Sequence, residues 1–414
     1  MPTDDQRTED LLREALSAIA RSVSPAASAW ARIERAMERH PERRRQGYVS
    51  RASLVLLSLG LSAASIAGLW AVFRGASRDQ PLGAGPQNLE PMITARVAVD
   101  ESITGLAAAP SSLWVTAIGR PEPGSGAPCE GNVYGIDPDR NAVTMGVPVD
   151  FWPTDVVWGF GSVWLGGFSC TPPDAAGGTV EGIVARLDPG SGKLAAEARI
   201  GRGELVDLAV GAGSLWAARN PDAVSGEIVR VDANTMEITA RLWLDAPVLG
   251  LEDTPVDALA ASGDAVFILA GGDPTKVLRL EPSTMETSTL VRGTWAFAVA
   301  GGDLWAPIAD SPGTTNVAAQ RFDAETGAPL GAPIGLGDTT FFPFAVGEDG
   351  VWFVGGRRNV VVARLNTSLL TVDEEIPVSS SGDVGAVFDP ARGVIWIADR
   401  RAGTVLRIDL QPTA

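Results

Sequence analysis

From residue 93 onward, apolar side chains recur in short alternating runs, each bounded by Gly, Pro, Asp or Ser. One full unit reads Asp207-Leu-Ala-Val, the turn Gly211-Ala-Gly-Ser, Leu215-Trp-Ala-Ala, Glu227-Ile-Val-Arg-Val-Asp232, then Met236-Glu-Ile-Thr-Ala-Arg-Leu-Trp243. Alternation at period two gives each run one core-facing side, so the unit predicts four short antiparallel strands. Its aromatic position is held in turn by Trp114, Trp164, Trp216, Phe267, Trp305, Trp352 and Trp396, spaced 50, 52, 51, 38, 47 and 44 residues apart. A period in the forties marks propeller blades. The predicted fold class is therefore all-β, a seven-bladed β-propeller of four-stranded blades spanning 92–414.

The last unit ends early, because Gly403-Thr-Val-Leu-Arg-Ile-Asp409 is its third strand and few residues follow. The segment Ile93-Thr-Ala-Arg-Val-Ala-Val99 has the pattern of the fourth strands of other units. It is expected to complete the last blade and close the ring, which removes an exposed sheet edge.

Ahead of the repeat the pattern changes. Residues 52–73 form 22 consecutive uncharged residues, the length a helix needs to cross a bilayer. Six arginines between 35 and 51 precede this stretch, and only Arg74 and Arg78 follow closely. The positive-inside bias places the N-terminus in the cytoplasm. A cleaved signal peptide is the competing reading, but the 51 residues ahead of the stretch are too many and no small-x-small site follows. The expected layout is a cytoplasmic helical segment at 1–51, a transmembrane helix at 52–73, a Pro/Gly-containing linker at 74–91 and an extracytoplasmic propeller. Within 1–51, two amphipathic stretches separated by Ser24-Pro25 carry Leu12, Leu16 and Ile19, then Trp30, Ile33 and Met37. Too small for a core of its own, this pair is read either as a solvated stalk or as a docking segment for a cytoplasmic partner.

Charge divides the same way. Residues 1–51 hold 10 Arg and 8 acidic residues, leaving 23 basic and 42 acidic residues outside, a net −19. An acidic surface of that kind disfavours nucleic acid as a partner.

Repetition also reassigns residues that would otherwise attract a functional reading. Arg186, Arg230, Arg279, Arg321, Arg364 and Arg407 each stand two residues before an acid or its amide, namely Asp188, Asp232, Glu281, Asp323, Asn366 and Asp409. Both side chains then share one strand face. Recurrence before a turn in blade after blade predicts that the acid caps turn N–H groups, and that the Trp series packs between neighbouring blades.

The residues that depart from the repeat are the candidates. At the start of the inner strands, Asp155, Asp207 and Asp257 aim carboxylates toward the channel mouth in blades two, three and four, and Asp383 occupies a comparable place in blade seven. Three such carboxylates suit a hard cation such as Ca²⁺, or a ligand amine; strand-start capping is the other reading. Trp152, Trp295, Phe341 and Phe342 lie in the connections leading into inner strands, where they would form a stacking rim for a ligand or seal the ring. Cys129 and Cys170 occupy equivalent loops of adjacent blades outside the cytoplasm, so a disulfide between them is expected, with free thiols as the alternative.

The only histidine is His40, outside the repeat, so no blade offers imidazole for acid–base work or for a transition metal. No G-x-S-x-G elbow, Walker-type loop or H-E-x-x-H helix occurs, and no catalytic residue is assigned.

Leu208-Ala-Val-Gly-Ala-Gly-Ser-Leu-Trp216 and Ile228-Val-Arg-Val-Asp-Ala-Asn-Thr235 resemble the repeat of bacterial YVTN-type and streptogramin-lyase-like propellers. The resemblance covers about three quarters of the chain and implies the propeller scaffold. The catalytic histidines of the lyases have no counterpart in these blades. The order of helical segment, Arg-rich stretch, single span and exported domain, with Trp30-Ala-Arg-Ile-Glu-Arg35, is similar to membrane-anchored anti-sigma regulators, although their H-x-x-x-C-x-x-C motif is absent. The functional expectation is a non-enzymatic, single-pass membrane protein whose extracytoplasmic propeller binds a ligand or protein. The alternatives are a propeller lyase or hydrolase working through the acidic, metal-assisted cluster, and an anti-sigma-like transmembrane regulator.

Overall fold

The computed structural model describes residues 93–119, 130–169, 180–249, 258–272, 274–309, 317–337, 341–346, 350–355, 360–366, 371–379 and 383–410. They form seven four-stranded antiparallel sheets. Blade one is built from Ser102–Ala108, Leu113–Ile118, Gly131–Asp137 and Ala142–Val149, and blade two from Trp152–Gly159, Ser162–Ser169, Glu181–Asp188 and Lys193–Arg202. Blade three comprises Glu204–Gly211, Ser214–Asp222, Ser225–Val231 and Ile238–Leu244. The inner strands of the remaining blades are Leu259–Ser262, Ala298–Ala300, Phe341–Val346 and Val384–Asp389. Each inner strand packs against the next, and that of blade seven packs against that of blade one, so the ring is closed.

Closure uses the segment expected from the sequence. Ile93–Ala98 pairs antiparallel with Thr404–Asp409 as the outer strand of blade seven, with Val97 opposite Val405 and Ala98 opposite Thr404. Val99 N and Asp100 N then both donate to Gly403 O, which fixes the crossing from blade seven to blade one. Among the described residues no helix is long and apolar enough to cross a membrane. The expected helices of 1–51, the span at 52–73 and the linker at 74–91 lie outside the described residues.

Hydrophobic burial is organised by blade interface rather than by one central core. Trp114 packs with Val163, Leu165 and Ile183 of blade two, Trp164 with Leu215 and Ala217 of blade three, and Trp216 with Val266 and Ile268 of blade four. Phe267, Trp305, Trp352 and Trp396 each reach the following blade in the same way, the last of them returning to Leu113 and Val115 of blade one. One aromatic side chain of this size carries about 150–250 Å² of apolar surface into each joint, which explains its recurrence.

The Arg two residues before the acid completes the joint. Arg186, Arg230, Arg364 and Arg407 lie 5.5–6.0 Å over the rings of Trp164, Trp216, Trp352 and Trp396 in their own blades. Three of them also donate to a turn carbonyl of the next blade: Arg186 to Ala233 O at 3.0 Å, Arg230 to Pro282 O at 3.3 Å and Arg407 to Pro138 O at 2.6 Å. The paired acid caps its own turn, as expected. Asp232 Oδ1 accepts from Asn234 N and Thr235 N, and Asp188 and Asp323 accept from the N–H and hydroxyl of Ser191 and Thr326.

Candidate functional site

Two faces follow from the strand directions. The inner strands begin on one face, called upper here, which also carries the loops between second and third strands. The tight turns between first and second, and third and fourth, strands lie on the lower face. The chain enters Ile93 on the lower face, because its strand ends beside the start of the inner strand of blade one.

Asp155 and Asp207 occupy equivalent rungs at the upper end of the inner ring. Each pairs with the residue two beyond the blade's Trp, Asp155 opposite Gly166 and Asp207 opposite Ala218, and each follows a β-bulge. The bulge turns the side chain toward the neighbouring inner strand. Asp155 Oδ1 accepts from its own Val156 N at 2.7 Å, and Oδ2 accepts from Leu208 N of blade three at 2.9 Å. Asp207 repeats the pattern, taking Leu208 N at 2.8 Å on Oδ1 and Leu259 N of blade four at 2.8 Å on Oδ2. The two carboxyl groups thus stitch blades two, three and four together, and they converge on the single N–H of Leu208. The capping described by the second sequence reading is extended here across blade boundaries.

Burial in the inner ring pushes the Asp155 carboxyl above the ordinary carboxylate range. Hydrogen bonds from Asp207, Leu208 and Val156, and the charge of Arg400, pull in the other direction without cancelling it. Thr154, the bulged residue, ties the same joint through Oγ1 to Leu205 O at 3.3 Å. Asp257 lies outside the described residues, and among the described residues no three His, Cys, Asp or Glu side chains are placed to hold a metal ion.

In blade seven the register places Gly385, opposite Ala398, on the rung of Asp155. Asp383 sits further toward the upper rim, because the longer turn Asp389-Pro-Ala-Arg-Gly393 shifts the count from the Trp by two. A Cβ on Gly385 would lie 3.5 Å from Arg400 Nε, so the guanidinium covers the space a side chain would fill. Arg401 Nε donates to Asp383 Oδ2 at 3.3 Å. Blade one also has glycine on this rung. Added at Gly105, a Cβ would sit 3.0 Å from Asp155 Cα, so the close approach of the two inner strands requires glycine.

The four aromatic candidates separate. Trp152 stacks on Phe168 of its own blade, centroids 6.1 Å apart and planes 8° from parallel, at the upper end of blade two. Trp295 packs against the cluster between blades five and six, and Phe342 against that between blades six and seven, so both contribute to sealing. Phe341 begins the inner strand of blade six. Cys129 and Cys170 lie outside the described residues, among which there is no disulfide.

Sequence reasoning passed over a polar cluster at the upper rim of blade three. Arg219 and Glu227 face each other across adjacent strands and form a buried ion pair. Arg241 adds a second cation, donating to both Glu227 oxygens at 2.9 and 3.1 Å and to Ile200 O of blade two at 3.0 Å. Above this, the Arg219 guanidinium lies 5.8 Å from the ring of Trp243, which is 59% exposed, while Val224 at the adjoining hairpin is 72% exposed. Opposite charges on directly paired positions flanking a hairpin were the available signal.

No family model matches the chain, and no curated protein does. Solved structures do. A chain of Kuenenia stuttgartiensis hydrazine synthase is 12% identical, with a TM-score of 0.53 over 81% of this chain and 99% of that one. A chain of the mitotic checkpoint complex is 11% identical, with a TM-score of 0.56 over 81% and 100%. The WD40 repeats of RRP9 are 12% identical, with a TM-score of 0.52 over 75% and 95%. At these identities the likeness is one of fold, a seven-bladed propeller with WD40-like neighbours.

Proposed function

We propose that this chain is a single-pass membrane protein with a cytoplasmic N-terminus, whose extracytoplasmic propeller binds a protein or other ligand on its upper face without catalysis. The propeller fold is consistent with a binding or regulatory scaffold and with a protein partner. The observation that carries the reading is Trp243, a large aromatic residue left exposed at the upper rim while the guanidinium of a buried ion pair lies against its ring. Trp and Arg are the residue types that dominate binding energy where interfaces are well packed, and a side chain braced this way loses little freedom on binding. The stacked Trp152 and Phe168 lie at the upper end of blade two, on the same face. Ile93 enters the ring on the lower face, opposite the rim that carries Trp243.

A photo-crosslinking residue at position 243 of the full-length protein, in its native membrane, tests this against a control at Phe160 on the lower face. Adducts at 243 and none at 160 are expected. Equal labelling at both, or adducts only at 160, would count against the upper face. Reproducible turnover of a substrate by the purified protein would count against the non-enzymatic part.

A regulatory extension assigns residues 1–51 to a cytoplasmic partner, a sigma factor being the candidate suggested by the layout. Capture experiments with the full-length protein, compared with a chain lacking residues 1–40, should recover that partner only when the segment is present.

A further inference from the structure

The Asp155 and Asp207 side chains raise a question that strand capping alone does not answer. Two carboxylates that converge on one N–H donor repel each other unless a proton or a cation lies between them. Among the described residues, the surroundings of Asp155 are these. Blade one faces Asp155 with Gly105 and with the Thr104–Thr116 hydroxyl pair, whose oxygens are 3.0 Å apart. Its own strand offers Thr154, and the paired strand offers Gly166. The cation acting on it is Arg400 of blade seven, which is also within 4.0 Å of Asp383. From blade three come the Leu208 N–H and the Asp207 carboxyl, both hydrogen-bonded to it. Toward blade four the next acid in the sequence is Asp257, outside the described residues.

We propose that Asp155 and Asp207 share a single proton and act as a pH-sensitive clasp between blades two, three and four, tightening the ring as the medium becomes more acidic. The shared proton lies between the two carboxyl groups, carried by one and accepted by the other. The remaining lone pairs still accept Val156 N, Leu208 N and Leu259 N, so every group in the clasp is satisfied. When the proton leaves, two adjacent negative charges remain in the inner ring, and the Arg400 charge acting on Asp155 does not cancel the cost of burying them. An acid held protonated in the folded chain binds more protons there than in the unfolded chain, so its contribution falls as pH rises through its folded value. The direction is opposite to that of the turn-capping aspartates. A clasp of this kind would set how readily blades two to four part at the upper face.

Thermal unfolding of the full-length protein and of Asp155→Asn, followed from pH 4.5 to 8, tests the clasp. The variant cannot lose the shared proton, so its midpoint should gain on the wild type with rising pH, by about 2 °C or more across the range. A constant gap, or one that narrows at high pH, would overturn the proposal. Should the variant fail to fold, the wild type decides alone: one aspartyl carboxyl carbon should titrate by NMR well above the ordinary value of about 3.9, and the absence of any such carbon overturns it. Calcium chloride should leave both midpoints unchanged. A calcium-dependent rise confined to the wild type would mean that a cation, not a proton, joins the pair.

Discussion

Arg230 lies 5.5 Å from the centroid of the Trp216 ring, and its Nη1 donates across the blade boundary to Pro282 O at 3.3 Å. One side chain therefore covers the ring of the joint's main apolar residue and reaches the next blade. Replacing Arg230 with Met keeps the apolar stem and removes the ring contact and the hydrogen bonds to Pro282 O and Ser214 Oγ. A loss of about 2–4 kcal/mol is expected from one cation–π contact and two charged hydrogen bonds, measured by denaturant unfolding. Lysine should restore only part of it, since a point charge cannot lie flat on the ring and reach the carbonyl together.

Trp216 itself should matter more. It is fully buried between blades three and four, and Trp216→Ala should cost about 3–5 kcal/mol. The equivalent change at exposed Trp243 should leave the unfolding midpoint nearly unchanged, which separates a packing role from a surface one.

Glu227 is buried against two arginines. Glu227→Ala leaves Arg219 buried without its carboxylate, and a loss of about 3–5 kcal/mol is expected. Paired replacement of Arg219 and Glu227 by Met and Leu should be far less harmful than the single change. Urea unfolding of the wild type and the two variants checks this.

The turn caps predict an acid limit. Asp137, Asp188, Asp232 and Asp323 are held below the ordinary carboxylate range by hydrogen bonds from the turn: chiefly Arg140 N for Asp137, the Ser191 hydroxyl for Asp188, Thr235 N for Asp232 and the Thr326 hydroxyl for Asp323. A lowered folded value gives stability that is present above the unfolded value of about 3.9 and is lost as pH falls through the folded one. Changing Asp188 and Asp232 to Asn should therefore flatten the fall in midpoint below pH 4 while costing some stability at neutral pH.

How much of this was legible in the sequence differs by residue. The Trp series and the Arg–acid pairs were readable because a repeat shows what each blade needs at each joint. The position and order of the blades followed from the same count. The inner ring was harder, because register there depends on bulges at Thr154 and Val206 that no spacing rule reveals. The longer turn Asp389-Pro-Ala-Arg-Gly393 puts Gly385, rather than Asp383, on the rung of Asp155, and the bulges left the reach of each Asp to the next blade unforeseen. Arg219, Glu227 and Trp243 break the repeat in one blade only, so the pattern that exposed the scaffold gave them no weight.

Ring closure by the segment ahead of the first repeat underlies both the blade count and the assignment of the two faces. Hydrogen–deuterium exchange of the full-length protein measures it directly. Amides of Ile93–Ala98 should be protected as long as those of their partner strand Thr404–Asp409, because the two open together. Rapid exchange of 93–98 beside a protected 404–409 would contradict the closed seven-bladed ring.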